Sequence, residues 1–194
     1  MPKRLATMAA LLAAALVLAS CGDSGGSDQE EIAEAIETAL VKTDPDSCTE
    51  LMTQAYLEES FQSSGANAVE GCEQNAEAEE SDNAPVKVSA IKVDGSEATA
   101  EVALHGGEVA GQTVLMALVD EDGWKLDEFV RFTEFDREEM VPQMVEGFEG
   151  GETRTDPKVV DCISKALHRM SRPELENMFL DGYQATIELY EACE

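Results

Sequence analysis

Apolar residues recur first with a helical period, then with a strand period, then with a helical period again, and this order predicts an α+β chain. After an apolar run from Leu5 to Ala19, the first helical stretch puts Ile32, Ile36, Ala39 and Leu40 on one face. Asp28 followed by Glu31 is a capping-box pattern at its start, and Asp44-Pro45 stops it after Lys42. A second helix is expected from Ser47 to Phe61, with Cys48, Leu51, Met52, Ala55 and Phe61 in one stripe. Gly65 breaks it. Residues 66–79 form a weaker, acidic helix carrying Val69 and Cys72, and Ser81 to Pro85 is loop.

The period then falls to two. Val86 and Val88 alternate on one phase and Ile91 and Val93 on the other, which predicts a bulge near Ser89. Asp94-Gly95 is a tight-hairpin signal. Ala98, Ala100, Val102 and Leu104 alternate with Thr99, Glu101 and Ala103 until His105-Gly106-Gly107 ends the strand. Gln112 to Val119 is nearly all apolar and should be a central strand. Asp120 to Gly123 turns the chain into a last alternating strand through Trp124, Leu126 and Phe132. Four strands joined by short turns predict an antiparallel meander.

Past Phe132 the helical period returns. Met140, Val141, Met144, Val145 and Phe148 share a face of a helix that Gly150-Gly151 ends. Asp156-Pro157 starts the next, whose inner face is Val159, Cys162, Ile163, Ala166, Leu167 and Met170. Ser171 and Glu174 form another capping box, opening a short helix through Leu175, Met178 and Phe179 that Gly182 terminates. A final helix runs through Ile187 and Tyr190 to Cys193.

The start of the chain changes the picture. Lys3 and Arg4, a short apolar core and a small-residue exit make a secretory signal pattern. Its apolar core is shorter than the ~20 residues of a spanning helix. Leu18-Ala19-Ser20-Cys21 resembles a bacterial lipobox, which implies that the thiol of Cys21 takes a diacylglycerol and that residues 1–20 are removed. Two acyl chains of the palmitate kind hold a protein firmly, at ~0.8 kcal/mol per buried methylene. Residues 21–28, rich in Gly and Ser, read as a flexible tether. The expected organisation is then a signal peptide over 1–20, a tether over 21–28, an α+β domain over 29–151 and a helical unit over 152–194.

Charge excludes some partners. The chain has 41 acids against 13 bases, a net charge of −28. Cleavage removes Lys3 and Arg4 and no acid, leaving 11 bases. Such a surface repels nucleic acid and bare anionic lipid. With 43% apolar residues, the chain still has ample material for a core.

Five cysteines fit an exported protein only if one is removed from pairing. Lipidation of Cys21 does that, leaving Cys48, Cys72, Cys162 and Cys193. Four cysteines permit three pairings. Cys48 with Cys72 would tie neighbouring helices of the first half, and Cys162 with Cys193 the ends of the C-terminal unit. Each closes a loop that stabilises by roughly 3.5 kcal/mol in the chain-entropy model. No Cys-x-x-Cys spacing suggests thiol exchange, and neither His105 nor His168 stands at zinc-ligand spacing from a cysteine. No metal and no cofactor is therefore expected.

The helices followed by a curved meander ending in Gly123-Trp124-Lys125-Leu126 resemble the cystatin-like cone of the nuclear transport factor 2-like superfamily. The pattern is similar to uncharacterised actinobacterial lipoproteins in which such a domain follows a lipobox. That resemblance implies helices packed on a concave sheet with a pocket between them. Some members are isomerases, cyclases or dehydratases; others only bind. No catalytic motif of those enzymes falls on this sequence. His105 sits before two glycines and reads as a loop residue, and His168 lies between charged Lys165 and Arg169 on a polar helix face. Asp120-Glu121-Asp122-Gly123 lacks the spacing of an EF-hand loop and reads as a turn. Tyr56 and Tyr183 are candidates to face a pocket, and the Met-rich face from Met140 is a candidate docking surface.

The expectation is a lipid-anchored protein on the extracytoplasmic face of the membrane, whose cone binds a small apolar ligand or another envelope protein. The alternative is an isomerase- or dehydratase-type enzyme with a pocket carboxylate or histidine. A third reading makes the C-terminal unit a docking module.

Overall fold

The computed structural model describes residues 25–42, 44–78, 84–106, 109–149, 155–180 and 183–194. The lipobox pattern and Cys21 lie outside the described residues. Among those described, no helix is long and apolar enough to cross a membrane.

The fold is α+β. Helices α1 (Gly25–Val41), α2 (Ser47–Glu50), α3 (Gln54–Phe61) and α4 (Ala66–Ala78) precede strands β1 (Lys87–Asp94), β2 (Glu97–Ala103), β3 (Thr113–Asp120) and β4 (Trp124–Glu134). Helices α5 (Arg137–Glu149), α6 (Pro157–Arg169), α7 (Arg172–Leu180) and α8 (Tyr183–Glu191) follow. The strands form one antiparallel sheet in the order β1-β2-β3-β4. Helix α1 begins at Gly25, so the end of the expected tether is helical rather than open chain.

One face of the sheet is the main core. Ala98, Ala100 and Val102 of β2, Val114, Met116 and Leu118 of β3, and Trp124, Leu126 and Phe132 of β4 pack against Ile32, Ala35 and Ile36 of α1. Bulges set its curvature. In β1 the register shifts between Ser89 and Lys92, and Ala90 has φ 51°, so Val88 and Ile91 both join the core. In β4 three shifts let 11 residues run alongside the 8 of β3. Strict alternation after Leu126 would have turned Glu128 and Val130 inward. Instead Met116 faces Phe129 and Val114 faces Phe132. Each extra residue bends and coils the strand, so the sheet becomes a trough.

The helix expected from Ser47 to Phe61 is broken. Leu51 O accepts from Leu126 N and Thr53 N donates to Leu126 O, both at 2.8 Å, so Met52 forms a parallel bridge to β4. Without that pairing the edge of β4 would leave peptide groups unbonded beside the core. Thr53 then caps α3, its hydroxyl accepting from Tyr56 N at 3.1 Å and donating to Asp127 Oδ1 at 2.9 Å. The restart changes the helical phase: Ala55 is exposed and Leu57 is buried. Helices α3 and α4 meet closely, since a Cβ on Gly71 would lie 3.3 Å from the Phe61 ring.

Cys48 bonds to Cys72 and Cys162 to Cys193. The first joins α2 to α4 within a small cluster with Leu57 and Ala68. The second closes the C-terminal unit, whose core is Val141, Ile163, Leu167, Leu175, Met178 and Leu189. Helix α5 belongs to both cores: Met140 faces the sheet and Val141 the C-terminal helices. Arg137 fastens the junction, its guanidinium donating to the carbonyls of His168, at 3.2 Å, and Met170 at the end of α6. Those carbonyls are the negative end of a helix dipole, where a cation is favoured.

Candidate functional site

The trough is not filled by its own side chains. A cavity of about 370 Å³ remains between α1, α3, the sheet and α7. Its floor is Val114, Met116 and Phe129; Leu40 and Val86 close one flank, and Leu104 and Val109 another. The bulges of β4 place Phe129 there. The C-terminal unit supplies a wall through Phe179 and Leu180 of α7. Phe179 is fixed by ring contacts to Phe129 and Phe132, with centroids 5.6 and 5.3 Å apart.

The polar groups come from α3 and the β2–β3 loop. Tyr56, Glu59, Ser60 and Gln62 contribute to one side, His105 and Gly106 to another. Tyr56 is half-buried, whereas Glu59, Ser60, Gln62 and His105 are exposed and form the rim. Burial pushes the Tyr56 phenol above its usual range; a hydrogen bond with the Ser60 side chain pulls the other way, and the Glu59 carboxylate adds to the rise. Tyr56 is thus neutral at physiological pH, able to donate or accept one bond with a bound molecule.

The loop that carries His105 is braced from beneath by Gln112. This side chain is 1% exposed. Its Oε1 accepts from Asp136 N at 2.7 Å, while Nε2 donates to Asp136 O at 3.0 Å and Ala110 O at 3.3 Å. Gln143 Nε2 reaches the same Ala110 carbonyl at 3.4 Å. The C-terminal end of the rim loop is therefore tied to α5 and the residue before it.

Of the candidate residues, Tyr56 is at the cavity and His105 on its rim. His168 is exposed on α6, its Nδ1 2.8 Å from Ser164 O. The side chain of Tyr183 lies outside those described. Asp120 to Gly123 is a turn in which Asp120 Oδ1 accepts from Gly123 N at 3.1 Å. Among the described residues no three His, Cys, Asp or Glu side chains converge as a metal site. The Met-bearing face of α5 is divided between the two cores. Phe129 and Phe179 are the residues that periodicity did not assign to the site. The signal for Phe129 was the failure of strict alternation between Leu126 and Phe132; Phe179 had none.

The cavity can hold an apolar body against its floor and hydrogen-bond a polar end at Tyr56 and Ser60. No family model matches the chain, and neither the curated proteins nor the solved structures include a match to it.

Proposed function

We propose that this chain is a lipid-anchored protein of the cell envelope, held by a diacylglyceryl group on Cys21, whose cone binds a small apolar ligand. The observation that carries the ligand reading is the apolar floor of Val114, Met116 and Phe129 left open beneath a polar rim. A volume of 370 Å³ falls in the size range of small-molecule sites, about 300–1,000 Å³. The lipobox pattern and the pairing of the other four cysteines support export. A cone of the nuclear transport factor 2-like kind fits the trough, and the process served is ligand capture at the outer face of the membrane.

An isomerase- or dehydratase-type enzyme needs a carboxylate or imidazole deep in the cavity. Glu59 and His105 sit at the rim, which favours the binding reading.

Mass spectrometry of the native protein under non-denaturing and then denaturing conditions tests both halves. The expected spectra show an acylated Cys21 at the N-terminus and a non-covalent apolar companion lost on unfolding. An unacylated product, or a companion-free protein that takes up no apolar probe, overturns the corresponding half.

A further inference from the structure

The cone cavity has a neighbour. A second cavity of about 470 Å³ lies between α3, α5 and the C-terminal helices, walled by Phe61, Met144, Phe148 and Met178. The two share Ser60, Gln62 and Phe179. Ser60 and Gln62 are exposed polar residues at the end of α3, so the chambers have a common polar rim, and the Phe179 ring lines both. Among the described lining residues of both chambers there is one carboxylate, Glu59, and no lysine or arginine.

We propose that the site takes a two-tailed lipid with an uncharged head, one hydrocarbon limb in each chamber on either side of Phe179 and the head at Ser60 and Gln62. This deepens the ligand reading above and rests on it. A one-tailed molecule covers the apolar wall of one chamber and leaves the other wet. Once the first limb is seated, the second enters as an intramolecular event with no further loss of translational freedom. A phosphate or carboxylate head would be drawn from water beside Glu59 with no lysine or arginine among the described lining residues to meet it. It would also have to approach a chain of net charge −28.

The test titrates the exported full-length protein with dioctanoylglycerol, mono-octanoylglycerol and dioctanoyl phosphatidic acid. All are kept below their aggregation thresholds and read by displacement of the uncharged dye N-phenyl-1-naphthylamine. Dioctanoylglycerol is expected to bind roughly 100-fold tighter than its one-tailed counterpart. The phosphatidic acid is expected to bind at least about tenfold weaker than dioctanoylglycerol. Gly147 is an exposed position of α5 that lines the second chamber, so Gly147→Leu narrows that chamber while favouring the helix. It should weaken the two-tailed probe far more than the one-tailed one, bringing their affinities together. Equal affinities of the one- and two-tailed probes for the parent protein would overturn the proposal while leaving the single-cavity reading intact, and this comparison needs no variant. Equal weakening of both by Gly147→Leu, or preference for the phosphatidic acid, would also overturn it. Binding of none of the probes would overturn the ligand reading itself.

Discussion

Gln112→Ala is the sharpest test of how the rim loop is held. The substitution removes the acceptor for Asp136 N, at 2.7 Å, and the donor to Asp136 O and Ala110 O, at 3.0 and 3.3 Å. A net ~1 kcal/mol for each of the two shorter bonds, less for the third, and ~0.8 kcal/mol for the lost buried methylene give about 3 kcal/mol. For a chain of this size that lowers Tm by roughly 6–12 °C. Gln112→Glu separates the hydrogen bonds from packing. The introduced carboxylate keeps one acceptor for Asp136 N but turns an oxygen toward two carbonyls, and it is buried. Its pKa in the folded state is therefore raised above the ~4.3 of an unfolded glutamate. Relative to the parent, this variant is least perturbed below about 4.3 and loses stability as pH rises through the raised folded value. Urea denaturation across pH, with amide exchange at Asp136, reads both effects. A Gln112→Ala variant within about 0.5 kcal/mol of the parent, or a Gln112→Glu variant with the parent's pH profile, would refute the reasoning.

Other outcomes follow from the same geometry. Replacing Cys162 and Cys193 together by Ser opens a loop of sequence separation 31 and should cost about 3.5 kcal/mol, read by denaturation of the non-reduced protein. Arg137→Ala frees the carbonyls that end α6 and should cost about 1–2 kcal/mol, with faster exchange in the last turn of that helix. The Glu174 carboxyl is held below its usual range chiefly by the Ser171 hydroxyl and amide, the latter at 2.6 Å. Its depressed folded value means that the cap contributes above the ordinary Glu pKa and that this is lost as pH falls through the folded one. An NMR titration should show the low value, and Ser171→Ala should raise it.

Local rules made most of the fold legible. The bulge near Ser89 showed in the change of phase between Val88 and Ile91, and the register shift falls there. Asp94-Gly95 announced a hairpin, although Asp94 pairs with Glu97 and the turn residues are Gly95 and Ser96, one place on. Asp156-Pro157 started α6, with Lys158 N donating to Asp156 Oδ1 at 2.8 Å. What was not legible depends on contacts distant in sequence. The residues around Met52 have a helical pattern, and only the edge of β4, some 74 positions later, draws their peptide groups into a bridge. Gln112 read as the first residue of an apolar strand. Its role needs Asp136, brought beside it by the β3–β4 pairing that joins Thr113 to Glu134. The aromatic group of Phe129, Phe132 and Phe179 spans the strand and a helix that follows two others, and no local period encodes it.

The same contacts show how the C-terminal helices are joined to the sheet. A unit tied by its own disulfide and built around Ile163 and Leu167 has the means to be an independent appendage. Three contacts argue otherwise. Helix α5 commits adjacent residues, Met140 and Val141, to different cores, so the two cannot separate without exposing one. Arg137 ties the beginning of α5 to the end of α6. Phe179 returns from α7 to the sheet, where it lines both the sheet cavity and its neighbour. An appendage free of the sheet would need none of these. Their joint effect is that the wall of the cavity and the core of the helical unit rise or fall together, so occupancy of the cavity must stabilise the C-terminal helices by linkage.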